Sequence, residues 1–244
     1  MPAGMSALFV AAGRASAQCT AQDFGFALGP RINAAGRLAD MTLGIECLCS
    51  DDLARATELA TALDRINRER RVIESDMRDQ ALAIAQDMLD PDELPPPALC
   101  VFDPEFHEGV VGIVAAKLKD LHNRPTFVFA PSQATGKSHE LKGSGRSIPG
   151  FHLRDALDLV VKRHPGVLLR FGGHAMAAGL SIRKADFEKF DGVFQQVANE
   201  LLNDELLERR HIHDGSLDLS EFTPETGDLL AEEIWGQGFP QPIF

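Results

Sequence analysis

Residues 98–130 read ALCVFDPEFHEGVVGIVAAKLKDLHNRPTFVFA, and their pattern indicates the fold class. The two ends of this stretch, 98–102 and 125–130, are short apolar runs rich in Val and Phe, which are typical of strands. Between them, 109–122 has the length and the small apolar residues of a helix. Strands that alternate with helices predict an α/β domain.

The alternation continues along the chain. It predicts a strand at 141–147, a helix at 151–163 that Pro165 ends, a strand at 178–182 and an amphipathic helix at 184–202. Farther on, 211–213 and 217–219 alternate as strands do, and 224–235 has the pattern of a helix.

A long helix is predicted upstream of the α/β region. Between 51 and 89, apolar residues recur at steps of three, four and seven, which is the period of one helix face. Ser50 is the predicted N-cap, and the dipeptide Asp90-Pro91 is the predicted stop. The middle, 64–71, reads DRINRERR and is polar nearly all round. This pattern favours a spacer that crosses solvent between two domains over a coiled coil.

The composition, 44% hydrophobic and 25% charged, excludes a disordered tail, a collagen-like rod and a small disulfide scaffold. No apolar run approaches the roughly 20 residues that a membrane helix needs. The N-terminus shows no secretory signal, and the four cysteines form no CxxC pair. We therefore expect a cytoplasmic protein with reduced thiols.

The net charge of −12 argues against a nucleic-acid coat and against an anionic membrane surface as the partner. The charge is uneven, however. Residues 117–154 contain seven basic and two acidic side chains, whereas 205–233 contain nine acidic and two basic ones. If a polyanion binds, it is therefore expected to bind in the first region and not in the second.

Two short clusters in the first half of the chain have features of an anion site. Residues 29–37 read GPRINAAGR, in which glycines let a backbone approach the guanidinium groups of Arg31 and Arg37. A helix start with surface arginines gives the same pattern. Residues 106–114 read FHEGVVGIV and place His107 just ahead of the free N–H groups of a helix. An ordinary capped crossover helix is the alternative.

Two further clusters lie in the second half. Residues 142–147 read KGSGRS, and small residues around one arginine predict a phosphate-sized nest, with a glycine turn as the alternative. Residues 172–179 read GGHAMAAG, which exposes the imidazole of His174 at a sharp turn, where it could donate to phosphate or stack on a base. A buried, hydrogen-bonded histidine is the alternative there. No Asp-His-His, P-loop or nucleophile triad completes an active site.

Taken together, the four clusters resemble the RecJ single-stranded-DNA exonucleases of the DHH phosphoesterase superfamily. Residues 29–37, 144–147 and 173–179 look like that family's later motifs in the right order, and 107–114 looks like its helix-opening motif.

The resemblance implies an α/β architecture in four parts. These are the end of a DHH domain at 1–48, a connector helix at 49–91, a DHH-associated domain with a mixed sheet and flanking helices at 97–203, and the start of an OB-like β domain at 205–244. The family's metal ligands would lie upstream of Met1. The chain alone is therefore expected to contain no catalytic residue and no metal ligand, and to be inactive.

The activity that the resemblance implies is hydrolysis of single-stranded DNA from its 5′ end, with Mn²⁺ or Mg²⁺ in the complete enzyme, in DNA repair and recombination. Single-stranded DNA would be the ligand, and a single-strand-binding protein or a helicase would be a partner. The implied strand contacts are Ser144, Gly145, Arg146 and Ser147 at the terminal phosphate, Arg31 or Arg37 at a nearby phosphate, Gly172, Gly173 and His174 at the scissile nucleotide, and in addition His107, Asn33 and Lys142.

Two other functions stay open from the sequence. The first is a phosphodiesterase for very short RNAs or cyclic dinucleotides, because such enzymes also carry the associated domain. The second is a non-catalytic nucleic-acid-binding module, like the related domain at the end of alanyl-tRNA synthetase. The Gly-Pro-Arg cluster, the long helix and the acidic tail favour the long-strand exonuclease.

Overall fold

A computed structural model describes residues 1–89, 95–209, 212–236 and 238–244. The described strands are Leu99–Phe102 (β1), Thr126–Pro131 (β2), Glu140–Arg146 (β3), Arg170–Gly173 (β4) and Ala177–Arg183 (β5). They form one sheet in the order β1-β2-β3-β5-β4, in which only the β1–β2 pair is parallel. The predicted α/β class with a mixed sheet is confirmed.

The described helices surround this sheet and extend beyond it. They are Ala3–Ala11 (α1), Ala21–Asp23 (α2), Gly29–Leu38 (α3), Thr42–Cys49 (α4), Leu53–Met88 (α5), Val111–His122 (α6), Leu153–Arg163 (α7), Phe187–Leu201 (α8), Asp204–Leu207 (α9) and Pro224–Glu232 (α10). None of the helices in the described part of the chain is long and apolar enough to cross a membrane. The four cysteines carry free thiols.

The helices α7 and α8 cover one face of the sheet over a core of phenylalanines. Phe127 and Phe129 of β2 pack against Phe190 and Phe194 of α8, with ring centroids 5.1–5.7 Å apart. The glycines of β3 make room for these rings, because a Cβ at Gly143 would lie 2.5 Å from Phe129 and one at Gly145 would lie 2.4 Å from Phe127. Residues 142–147 are therefore strand for most of their length, and both the predicted nest and the glycine turn are wrong as descriptions of the backbone here.

The opposite face of the sheet packs against α6 and the C-terminal half of α5. Their shared core contains Leu99, Val101, Val128, Val114, Leu118, Met77 and Ala81. The helix α6 contacts β2 and β3. Beyond them, the same face of β5 and β4 carries small and polar residues, which leaves space for the cleft described below.

The long helix α5 has 36 residues and confirms the predicted long helix. Its N-cap is Asp52 and not Ser50, since Asp52 Oδ1 accepts from the backbone N–H of Ala54 at 2.9 Å. The Ser50 hydroxyl instead donates to the Asp52 carbonyl. The helix starts at Leu53, which leaves Ser50 two residues too early to cap it. The predicted stop at Asp90-Pro91 lies outside the described residues.

The middle of α5 does not cross solvent, so that prediction is wrong. Asp64 is only 6% exposed and Asn67 only 1% exposed. Arg31 Nε donates to Asp64 Oδ1 at 2.9 Å, and Arg31 Nη2 lies 2.8 Å from the same oxygen. Arg70 donates to Asn67 and pairs with Glu74 one turn along the helix. The polar residues on one face of this part of the helix are thus paired inside the protein, whereas Arg65, Arg68, Glu69 and Arg71 on the other face are exposed.

The first 50 residues form a small helical layer on the N-terminal half of α5. The helices α1, α3 and α4 contact α5 there, and their shared core includes Leu8, Phe9, Ala35, Cys47, Leu59 and Leu63. About 50 residues are few for an independent core. The long helix supplies the missing apolar surface.

The C-terminal tail differs from the prediction. No strand forms within 212–236 and 238–244, where Gly236 and Phe239 make only an isolated bridge. The predicted strand at 217–219 gives way to a 3-10 helix at Leu219–Glu221, and Leu219 is 92% exposed. Alternating apolar residues need a sheet to pack on, and the tail meets none. The start of an OB-like domain is not confirmed, although the predicted helix at 224–235 forms as α10. Of the predicted strand at 211–213, His211 lies outside the described residues.

The ion pair of Arg31 with Asp64 gives a stability prediction. Asp64→Asn removes the charge that compensates the buried Arg31, so the free energy of unfolding should fall by about 3 kcal/mol. Asp79→Asn on the exposed face of the same helix, where Asp79 pairs with Arg78, should change it by less than about 0.5 kcal/mol. Urea unfolding followed by circular dichroism measures both. Equal effects of the two substitutions would contradict the assigned role of Asp64.

Candidate nucleic-acid interface

A cleft with a volume of ≈ 520 Å³ opens on the α6 side of the sheet. Three separate segments build it: the end of α3, the loop that leads into α6, and the open face of β3, β5 and β4. Its polar and charged lining residues are Arg37, Glu108, Lys142, Ser144, Arg170 and Ser181.

The strand register arranges the floor of the cleft in rows. Lys142, Ser144 and Arg146 alternate along β3 with buried Leu141, Gly143 and Gly145, so the polar set lies on the cleft side. Ser144 is paired with Gly179 of β5, which is paired with Gly172 of β4. Because this row has two glycines, the floor beside Ser144 is bare backbone that a ligand can approach closely.

Arg146 is held over this row by its neighbours. Its Nη1 donates to Ser144 Oγ at 3.1 Å and to the Gly145 carbonyl at 2.8 Å. In α6, a Cβ at Gly112 would lie 2.9 Å from Arg146 Nη2 and 3.0 Å from Ser144 Oγ. Gly112 therefore gives the guanidinium and the hydroxyl the room to meet beside the start of α6.

Arg37 reaches the same cleft from the N-terminal helices. Its Nη1 donates to the Gly109 carbonyl at 3.3 Å. The backbones also touch here, since a Cβ at Gly109 would lie 2.2 Å from the Arg37 carbonyl oxygen. The side chain of Arg37 is thus placed by a direct contact between α3 and the loop before α6.

The cleft carries a surplus of positive charge. Within the part of the chain that the structure describes, Arg37, Lys142, Arg146 and Arg170 form no ion pair. Burial lowers the pKa of the Arg146 guanidinium, and the nearby charge of Arg37 lowers it further. An arginine stays charged even so, and the two neighbouring guanidinium groups repel each other. An anion between them relieves both the repulsion and the lost solvation.

The structure brings some of the predicted site residues together. Arg37, Lys142 and Ser144 line the cleft, Arg146 touches Ser144, and Gly172 belongs to the floor row. Gly145 lies on the opposite face of β3. Residues 111–122 form the buried crossover helix of the alternative interpretation, although Val110 at its N-cap provides no side-chain cap hydrogen bond. The first residue of this helix, Val111, lines the cleft.

Other predicted residues lie elsewhere. Arg31 is buried against Asp64, away from the cleft, and Asn33 is exposed on α3. Ser147 is buried, and its hydroxyl donates to the Phe151 carbonyl at 2.6 Å. His107 Nδ1 accepts from the backbone N–H of Gly109 at 3.0 Å and so shapes the loop before α6.

The turn predicted around His174 is the loop of a hairpin. Gly173 ends β4 with a φ of +149°, and His174 donates its backbone N–H to the Ala177 carbonyl at 2.8 Å. His174 itself is exposed, so the alternative of a buried histidine is wrong. His174 lies beyond the row of Ser144. It is level with Ala177, which is paired with Arg146 on β3.

Sequence reasoning missed Arg170, Ser181, Gly112 and Glu108 as residues of the site. Arg170 and Ser181 belong to β4 and β5, and the pairing of these strands carries no local signal. Lys142, Ser181 and Arg170 form the row next to that of Ser144, and Lys142 Nζ donates to Ser181 Oγ at 2.9 Å. Glu108 Oε2 accepts from the backbone N–H of Gln133 at 3.3 Å.

A metal site is not built from the residues that the structure describes. They contain no group of three or more His, Cys, Asp or Glu side chains that could hold an ion. The cleft offers guanidinium, ammonium and hydroxyl groups, which suit an anion and not a divalent cation.

Comparisons with known proteins identify relatives of this chain. Residues 96–202 match the DHHA1 domain model. The single-stranded-DNA-specific exonuclease RecJ of Escherichia coli K12 is 43% identical over 242 residues, which is 99% of this chain and 41% of the relative. RecJ of Haemophilus influenzae is 42% identical with the same coverage.

The solved structures include RecJ of Thermus thermophilus in complex with Mn²⁺. This chain superimposes on it with a TM-score of 0.80 and 30% identity, over 99% of this chain and 34% of that one. A second structure of the same protein contains Mg²⁺ and gives a TM-score of 0.77. The chain is homologous to the C-terminal part of RecJ. It carries the DHHA1 domain and spans about two fifths of the RecJ relatives. These matches do not favour the small-nucleotide phosphodiesterase or the non-catalytic module.

The position of Gly112 gives a prediction for the cleft. Gly112→Ala pushes the Arg146 guanidinium off the Ser144 hydroxyl, so the affinity for inorganic phosphate should fall by about tenfold, the equivalent of one charge-assisted hydrogen bond. Gly192→Ala in α8, where a Cβ meets nothing within 4 Å, is the matched control and should leave the affinity unchanged. NMR titration with phosphate measures both. An unchanged affinity of the Gly112 variant would show that the guanidinium position does not matter.

Proposed function

We propose that this chain supplies the strand-binding part of a RecJ-type exonuclease that degrades single-stranded DNA from the 5′ end in repair and recombination. The observation that carries the proposal is that Arg37 and Ser144 line one cleft and that Arg146 donates to the Ser144 hydroxyl. Neither arginine has a carboxylate in ion-pair distance among the described residues. The homology to RecJ supplies the substrate class.

The donors of the cleft suit a terminal phosphate better than an internal one. A terminal phosphate monoester carries about −1.5 to −2 charges at pH 7 and has three exposed oxygens. Two guanidinium groups supply two positive charges, and together with one hydroxyl they provide a donor for each of the three oxygens. The start of α6 adds the positive end of a helix dipole beside them, since Val111 lines the cleft. A free 5′ end would therefore be favoured over an internal diester.

The remaining predicted residues take different parts in this proposal. Gly172 lets the sugar-phosphate backbone lie close to the sheet, and His174 at the hairpin loop would face the scissile nucleotide. Ser147 and His107 hold loops in place through their hydrogen bonds with backbone. Arg31 is left out because its guanidinium is occupied by Asp64 and by the Ala27 carbonyl.

Hydrolysis would take place in the complete enzyme, of which this chain is one part. The RecJ structures of Thermus thermophilus contain Mg²⁺ or Mn²⁺, and we propose the same metals for the complete enzyme. The described residues supply no ligand set for them, so the role of this chain is to bind and orient the strand. Action in the cytoplasm, with a single-strand-binding protein or a helicase as partner, completes the proposal.

The binding role is tested with a labelled single strand in fluorescence anisotropy at 50 and 200 mM salt. We expect Arg146→Ala to weaken binding of a 5′-phosphorylated strand by about tenfold at the lower salt, and a strand with a 5′ hydroxyl to be affected less. Arg163→Ala is the control, because Arg163 pairs with Glu200 on the helices of the opposite face. Equal affinities of wild type and the Arg146 variant would refute the phosphate contact.

The division of labour gives a second prediction. The purified chain should bind the strand and leave it intact in the presence of Mn²⁺ or Mg²⁺, because the sequence lacks the Asp-His-His motif of the family. Incubation of a labelled strand with each metal, followed by gel electrophoresis, measures this. Degradation that EDTA abolishes would show that the chain has a metal centre of its own.

A further inference from the structure

A second group of cations lies beside the proposed phosphate contact. Lys142, Ser181 and Arg170 form one row across β3, β5 and β4, on the cleft side of the sheet. The Lys142 ammonium donates one of its three protons to Ser181 Oγ at 2.9 Å. Neither Lys142 nor Arg170 forms an ion pair with any residue that the structure describes. The row therefore offers donors that the fold itself does not use.

The spacing between this row and the first suits a polynucleotide. Residues on the same side of a strand are two apart, so the row of Lys142 lies about 6.6 Å from that of Ser144. Successive phosphates of an extended single strand are separated by a similar distance. Gly179 and Gly172 form the floor of the first row, so no side chain of these two strands stands between the two sets of cations.

One carboxylate also lines this part of the cleft. Glu108 Oε2 accepts a hydrogen bond from the Gln133 N–H at 3.3 Å. Its charge offsets one of the two cations at most. Together with Arg37 and Arg146, the cleft keeps a surplus of positive charge, so a second phosphate is attracted as well as the first.

We propose that Lys142 and Arg170 form a second anion subsite, which binds the phosphate adjacent to the one held by Ser144 and Arg146. The proposal rests on the proposed function and extends it from one phosphate to two consecutive phosphates of the same strand. The smallest ligand that spans both subsites is a nucleoside 3′,5′-bisphosphate. A nucleoside 5′-monophosphate fills only the first subsite.

The test compares thymidine 3′,5′-bisphosphate with thymidine 5′-monophosphate as competitors for a labelled single strand, with the full chain at 50 mM salt. For wild type, we expect the bisphosphate to bind about tenfold more tightly, as one additional charge-assisted contact predicts. In Arg170→Gln this ratio should fall to near one. In Arg146→Gln both affinities should fall while the ratio persists. Arg163→Gln, on the opposite face of the sheet, should retain the wild-type affinities and ratio.

The outcomes separate this inference from the proposed function. If Arg146→Gln weakens both nucleotides and Arg170→Gln retains the wild-type ratio, the second subsite is refuted and the first stands. If Arg146→Gln has no effect on either nucleotide, the proposed phosphate contact itself fails. A bisphosphate that binds wild type no better than the monophosphate would also overturn the second subsite. Lys142→Gln removes the other cation of the row and should likewise lower the ratio of bisphosphate to monophosphate affinity.

Discussion

The alternation of residues along β3 is the constraint on which the cleft depends. Gly143 and Gly145 on one side allow the rings of Phe129 and Phe127 to pack directly beneath the strand. The same alternation places Lys142, Ser144 and Arg146 on the other side. A slip of β3 by one residue would turn Lys142, Ser144 and Arg146 toward the phenylalanine rings, so the packing of the core fixes the direction of the binding groups. Glycine in this strand is required by the ring contacts and not by a turn.

The electrostatics of the cleft follow from this placement. The residues of β2 and β5 that are paired with Lys142, Ser144 and Arg146 are uncharged, and none of them can neutralise a cation. Several described arginines outside the cleft are paired, as Arg31 is with Asp64 and Arg163 with Glu200. A chain with a net charge of −12 has carboxylates in excess, yet the described cleft holds only Glu108 beside its cations. Such a local surplus of positive charge is the property expected of a binding surface for phosphates.

The sequence was sufficient for what depends on local pattern. The strand–helix alternation gave the α/β class, and the apolar period gave α5 almost to its ends. The sequence pattern did not predict features that depend on residues distant in the chain. The polar middle of α5 reads as solvent-exposed, but Arg31, 33 residues away from Asp64, turns it into a buried ion pair. The strand β4 was missed because its two glycines weaken strand propensity, and only pairing with β5 forms it. Arg170 was missed together with this strand. The strands predicted in the tail do not form, because 212–236 packs on no sheet.

The cleft joins two parts of the chain that pack on opposite halves of α5. Arg37 comes from the helices on the N-terminal half of α5, whereas Ser144 and Arg146 come from the sheet at its C-terminal half. The two parts meet where Gly109 contacts the backbone of Arg37, and a side chain at position 109 would force them apart. An anion between Arg37 and Arg146 therefore bridges both parts. Strand binding at this point should stabilise their contact, because the ligand replaces repulsion between two cations by attraction to each.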